Sequence, residues 1–151
     1  MQEMPKGLER RLVLRLLHHW RDLCGERRFP SFDDVDPGQI PDMWPSCFVL
    51  DALGHQDDPI FRLVGDDIAK QARAGLVSLR ISGIPKDTLI DHATSYLDEV
   101  MSKEVPISRG GQFVREDGVN ILYRSILLPM SDDGETISGI LGAATCRAVE
   151  G

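Results

Sequence analysis

Positive charge, cysteine and long apolar runs are all scarce in this sequence, and each shortage closes off a class of function. Lysine and arginine number 17 against 24 aspartates and glutamates, giving a net charge of -7 over 151 residues. A field of that sign repels phosphate, so no binding to nucleic acid or to an anionic membrane surface is expected. The arginines that do cluster, Arg10, Arg11, Arg15, Arg21, Arg27 and Arg28, are interspersed with leucines in the manner of a solvated helix face. No apolar stretch approaches the roughly 20 residues that span a bilayer, so no membrane insertion is expected. The amino-terminal stretch carries charge throughout, lacks a small-residue cleavage site, and does not read as a secretory signal. The three cysteines, Cys24, Cys47 and Cys146, form neither a CxxC pair nor a His–Cys cluster with zinc spacing. That usage points to reduced thiols in the cytoplasm and to no metal site.

What is present is organised around residues 119–146. Two apolar runs rich in β-branched residues flank SDDGET, whose Asp132-Asp133-Gly134 supplies turn chemistry, and together they read as a β-hairpin. Ile121, Tyr123 and Leu127 fall on one face and Leu122, Ile126 and Leu128 on the other, so both faces of the sheet need covering. Upstream, Leu8, Leu12, Leu16 and Val13, Leu17, Trp20, Cys24 recur in three- and four-residue steps, an amphipathic helix over residues 8–24 that stops at Gly25. Residues 26–45 hold four prolines and several aspartates and read as an extended tether with a short turn begun by Asp36-Pro37. Residues 46–52 and 60–64 form a first hairpin, and residues 66–74 a short helix ending at Gly75. Asp87 can cap one longer helix carrying Ile90, Ala93, Leu97, Val100 and Met101 on a single face, with Pro106 ending it. ISRGGQFVR is a third strand in which Gly110-Gly111 suggests a bulge or turn, and Asp117-Gly118 is a tight turn into the central hairpin. The expected domain is single, with residues 1–45 as helix and tether and residues 46–147 as core.

Catalytic patterns are missing. The paired acids Asp33-Asp34, Asp57-Asp58, Asp66-Asp67 and Asp132-Asp133 fall in turns or at a helix start, where local hydrogen bonding accounts for them. No GxSxG, phosphate-binding loop or HExxH occurs, so no catalytic residue is assigned. Asp51, Arg62, Tyr96, Tyr123 and Arg124 are the polar groups set within otherwise apolar elements. Either an arginine meets Asp51 across strands, or one arginine faces a cavity and orients an anionic ligand beside a tyrosine.

Two strands, a set of short helices, a longer helix and a three-strand meander is an order similar to that of PAS sensory domains. The stretches HHWRDLCGERRFPSFDDVDP, FVLDAL, IFRLVG and YRSILLPMSDDGETISGILGA further resemble a group of small stand-alone bacterial PAS-like proteins. These share a leading Trp-containing helix, an RxxP segment, an acidic, proline-bearing tether and a first strand ending in Asp. The likeness runs from about Trp20 to Ala144. It implies an α+β fold, a five-stranded antiparallel sheet with helices on one face and the amino-terminal helix on the other, enclosing a cavity for a small molecule. Phe61, Leu63, Ile68, Tyr96, Tyr123 and Arg124 are the expected pocket residues. Light-sensing flavin members carry a reactive cysteine in an Asn-Cys-Arg-Phe context that is absent here. Haem-binding members use a histidine on the long helix, where His92 flanks the apolar face and reads as a half-buried surface residue. No haem, flavin or metal is expected; an unidentified small molecule remains possible.

The function implied is that of a non-catalytic signalling domain with a small-molecule ligand or a downstream signalling protein as partner. The competing readings are a small isomerase or hydrolase on a cone-like α+β fold, marked by a buried carboxylate with a raised pKa, and a dimerisation module with a filled core. The apolar stripe of the first helix is wider than one sheet contact needs. A homodimer through Leu8, Leu12, Val13, Leu16, Leu17 and Trp20 is therefore expected.

Overall fold

The structure, a computed structural model, describes residues 8–149, with side chains from residue 10 onward. Five antiparallel strands form one sheet: β1 (Cys47–Asp51), β2 (Ile60–Val64), β3 (Ile107–Val114), β4 (Asn120–Met130) and β5 (Gly139–Val149), in the order β2-β1-β5-β4-β3. Directly paired residues share a face, and the pairing of Tyr123 with Cys146, Ser125 with Ala144 and Leu127 with Gly142 defines an inner face. Ser125 on that face is fully buried and accepts from the Tyr96 hydroxyl at 2.7 Å, then donates to the Ala93 carbonyl at 3.2 Å. These bonds tie the sheet to α3 (Leu89–Ala93) and α4 (Leu97–Lys103).

The outer face, with Arg124, Ile126 and Leu128, lies under α1 (Leu8–Cys24). Leu12, Val13, Leu16, Trp20 and Cys24 are buried while Arg10, Arg11, Arg15 and Arg21 are exposed, so the arginines are the solvated face that their spacing predicts. The Trp20 indole donates to the Pro129 carbonyl at 2.9 Å, giving the one polar atom of that side chain a buried partner. Gly25 then turns the chain with φ of 58°, a left-handed residue at the helix end. The tether follows as short 3-10 turns at Phe32–Asp34, Pro37–Gln39 and Trp44–Ser46. It is fastened to the β4–β5 loop by Ser131 N to the Pro30 carbonyl (2.9 Å) and Phe32 N to the Asp132 carboxylate (3.2 Å).

This packing bears on the residues expected to meet a second copy. Leu12, Val13, Leu16 and Trp20 are taken up by the chain's own sheet, Leu16 with no exposed surface; Leu17 is half-buried, and the Leu8 side chain lies outside the described residues.

Three local expectations need correction. The single long helix is two, α3 and α4, because Thr94 returns its hydroxyl to the Ile90 carbonyl (2.8 Å), Ser95 does the same to His92 (2.8 Å), and Tyr96 leaves helical geometry at φ of -109° and ψ of 21°. Hydroxyl side chains that compete for helix carbonyls weaken the helix where they cluster. The cap is Thr88 rather than Asp87, its hydroxyl accepting from Asp91 N at 3.3 Å. Gly110 and Gly111 lie in an unbroken strand with no bulge. A Cβ on Gly111 would sit 3.0 Å from the Tyr123 ring and one on Gly110 3.2 Å from the Tyr123 carbonyl oxygen, so both glycines mark a close cross-strand approach to Tyr123.

Candidate functional site

A groove of about 290 Å³ opens on the inner face where the β3–β4 turn meets α3. Its floor is apolar: Leu89, Phe113, Ile121 and Cys146, each no more than 9% exposed. Its rim is charged. Arg73 pairs with Glu116 at 2.5 Å and donates to the Lys86 carbonyl at 2.6 Å, which spans the groove from the chain after α2 (Asp66–Gln71) to the turn. Arg115 grips Asp117 with two bonds of 2.9 and 2.7 Å, and that guanidinium holds the Asp117 carboxyl down at about 2. An apolar floor with a few convergent polar groups is the usual chemistry of a small-molecule site.

One wall of this region is aromatic. The His92 ring stacks on Phe113 with centroids 4.3 Å apart and 11° between planes, and Tyr123 leans against both. His92 Nε2 lies 3.3 Å from the Asp87 carboxylate. Among the described residues, Asp87, Asp91 and His92 bring ligand atoms within 4.8 Å of one another, the one grouping with the donors to hold a cation. One Asp91 oxygen is already committed to the Asp87 backbone amide at 2.9 Å. The spacing of acids and histidine across the start of α3 did not suggest this grouping, because Asp87 folds back with a positive φ of 56°.

The six residues expected to line a pocket are not gathered in one place. Phe61 and Ile68 are buried in the inner core, Phe61 tilted against Phe48 at 5.9 Å. Tyr96 is buried at the sheet's centre, where desolvation pushes its hydroxyl up to about 12, and Tyr123 stands beside His92. Leu63 pairs with Val49 after a register shift between Val49 and Leu50, and therefore points to the other face from Phe61. Arg124 is on the outer face as well. None of the six lines the inner groove, which is built by Leu89, Phe113 and Cys146 from three separate segments; at its rim the sequence offered only the tight turn at Asp117-Gly118. Arg62 lies 3.9 Å from Asp51 and over the Phe32 ring at 3.5 Å. Both partners of that cross-strand pair are more than a third exposed, so its net contribution is small.

Burial pushes the Cys47 thiol up to about 12 and the Cys146 thiol up to about 11, from an ordinary value of 9.0. A thiol whose pKa rises on folding supports the fold below pH 9 and loses that support as the pH climbs through 11 to 12. Cys24 moves in the same direction for the same leading reason. An aromatic disulfide reagent at about pH 8 is therefore expected to react slowly with all three thiols in the native protein and quickly in denaturant. Rapid labelling of one thiol without denaturant would show that its surroundings open.

The strand order, the two-sided covering of the sheet and the helices crossing the inner face define the α+β fold of a small sensory domain, and the wider comparisons agree. The sequence profile described as PAS domain matches residues 9–145, and the chain belongs to that family. No curated protein matches the sequence. Among solved structures, the chain is similar to the LOV domain of a blue-light activated histidine kinase from Erythrobacter litoralis. The identity is 15% and the TM-score 0.50, over 69% of this chain and 96% of that one. It is also similar to the light state of the LOV domain of the blue-light photoreceptor Aureochrome1, at 12% identity and a TM-score of 0.51, over 74% of this chain and 87% of that one. Identities this low speak for the fold alone. No helix among the described residues is long and apolar enough to cross a membrane.

Proposed function

We propose that this chain is a non-catalytic PAS sensory domain that takes a small molecule with an apolar body and a polar end into the inner-face groove, and passes the signal to a protein partner. The observation that carries this reading is the groove itself, an apolar floor of Leu89, Phe113, Ile121 and Cys146 beneath a rim of paired charges. At about 290 Å³ it stands at the lower end of small-molecule sites. Binding would be read out through the β3–β4 turn, because Arg115 and Asp117 belong to both.

The non-catalytic part rests on the carboxylates. A catalytic acid on this fold would be recognised by a carboxyl held above its ordinary range. Asp34, Asp42, Asp58, Glu99, Asp117 and Asp133 are instead each held below it by hydrogen bonds. Haem and flavin are not part of the proposal: His92 is engaged by Phe113 and Asp87, and no cysteine stands on α3 or α4. Three free, buried thiols suit a reducing cytoplasm.

Native mass spectrometry of freshly purified protein tests the reading. An added mass that disappears on denaturation, together with a flat visible absorption spectrum, is the expected result. A visible band would overturn the cofactor part, and identical native and denatured masses with no thermal shift across a panel of small amphiphilic acids and amines would overturn the ligand part.

A further inference from the structure

A second groove, of about 280 Å³, lies on the opposite side of the sheet, between α1 and the β3–β4 edge. Val13, Leu17, Pro106 and Ile126 form its floor, and Leu14 stands at its border with 56% of its surface exposed in the middle of a helix. Val105, 45% exposed, extends the apolar surface past Pro106. Two of its lining residues are cations, Arg10 and Arg124, and among the described residues none is acidic. Of the other arginines of α1 and the tether, Arg15 pairs with Asp42, Arg27 with Asp34 and Arg28 with Glu104, while Arg11 and Arg21 have no ion pair among the described residues. Arg10 and Arg124 have no ion pair among the described residues, although the protein as a whole carries a net charge of -7. Gly110 pairs directly with Arg124 across the strands, so no side chain stands opposite that arginine on β3. Arg124 is half-buried, and its guanidinium is available to a bidentate carboxylate partner.

We infer that this groove docks an acidic amphipathic helix of a partner protein, its apolar side chains entering between Leu14, Leu17 and Pro106 and its carboxylates meeting Arg10 and Arg124. The local charge selects the occupant. A second copy seated through a twofold axis would bring Arg10 and Arg124 against their own equivalents, a like-charge contact. An anionic membrane would meet the whole protein's negative field, whereas a helix meets only the groove. Apolar anchors at helical spacing in a shallow apolar groove are a common mode of peptide recognition. The site is separate from the inner-face groove and stands or falls independently of it.

The test uses the full chain and a set of fluorescent helical peptides that carry leucines at helical spacing with glutamates between, beside the same set with lysine for glutamate. Anisotropy is expected to show glutamate peptides binding at least about tenfold more tightly than their lysine counterparts. That preference should fall as salt is raised from about 0.05 to about 0.5 M. Leu14→Glu and Arg124→Gln should each abolish it with the melting midpoint preserved, and Leu14→Ser reads the same groove should Leu14→Glu unfold. The proposal is overturned if no glutamate peptide outcompetes its lysine counterpart, or if binding survives both variants. It is also overturned if sedimentation shows a dimer that Leu14→Glu makes monomeric, which assigns the groove to a second copy. Binding of phosphatidylglycerol vesicles that Leu14→Glu removes, with no peptide bound, would assign it to a membrane.

Discussion

Leu16→Ala is expected to lower the unfolding free energy by about 2–5 kcal/mol, the range for deleting a fully enclosed leucine. Leu14→Ala, one half-turn away on the same helix, should change it by less than about 0.5 kcal/mol. The contrast follows from burial: Leu16 has no exposed surface, and Leu14 keeps 56% of its own. Beneath α1, Leu128, Leu141 and Ala143 are fully buried on a sheet face that would otherwise meet water. Removing residues 1–25 altogether should therefore leave a protein that aggregates, since the exposed face would form one contiguous apolar patch. Urea unfolding checks the point variants through the midpoint at constant slope. Equal midpoints for Leu16→Ala and the parent protein would mean that α1 does not cover the sheet, as would a soluble truncated protein with an unchanged melting midpoint.

The sheet was legible because its constraint is local and repeated. Apolar residues on both sides of β4 state that both faces are covered, and the three- and four-residue steps from Leu12 to Cys24 supply one of the covers. The turns were legible for a similar reason: Gly25, Gly118 and Gly134 all take positive φ at the places where their neighbours mark a reversal. Two of the paired acids behave as turn residues, Asp34 closing on Ser31 and Asp133 on the amides of Glu135 and Thr136, whereas Asp58 accepts from Ser82, 24 residues along the chain. The break between α3 and α4 was hidden because the pattern of Ile90, Ala93, Leu97 and Val100 stays helical across it, while the break is made by hydroxyls bonding backwards from Thr94 and Ser95. Gly110-Gly111 misled because the same residue type serves a bulge and a close cross-strand approach, and only the position of Tyr123 opposite Gly111 decides between them. The groove residues were the least legible. Periodicity reports which face a residue takes, but not where along the sheet two segments fail to close.

The other end of the inner face closes tightly, and Gly142→Ala exposes how. A Cβ on Gly142 would lie 2.3 Å from the Phe48 ring, well inside any real contact. The glycine is there for space, since the ring of the neighbouring strand lies flat over it. Phe48 is fully buried and leans on Phe61, itself 1% exposed, so the ring cannot retreat. Two phenylalanines thus fill the inner face near β1 and β2. The surface left open lies beyond them, at Ile121 and Cys146, where the groove is found. Gly142→Ala should destabilise by about 1–3 kcal/mol through overpacking, and Phe48→Ala by about 3–5 kcal/mol through the cavity it leaves. In the double variant the new methyl enters that vacated space, so the combined loss should fall short of the sum by about 0.5–3 kcal/mol, the coupling of residues in direct contact. Equilibrium unfolding of the four proteins measures it. Strict additivity would mean that Phe48 does not rest on Gly142.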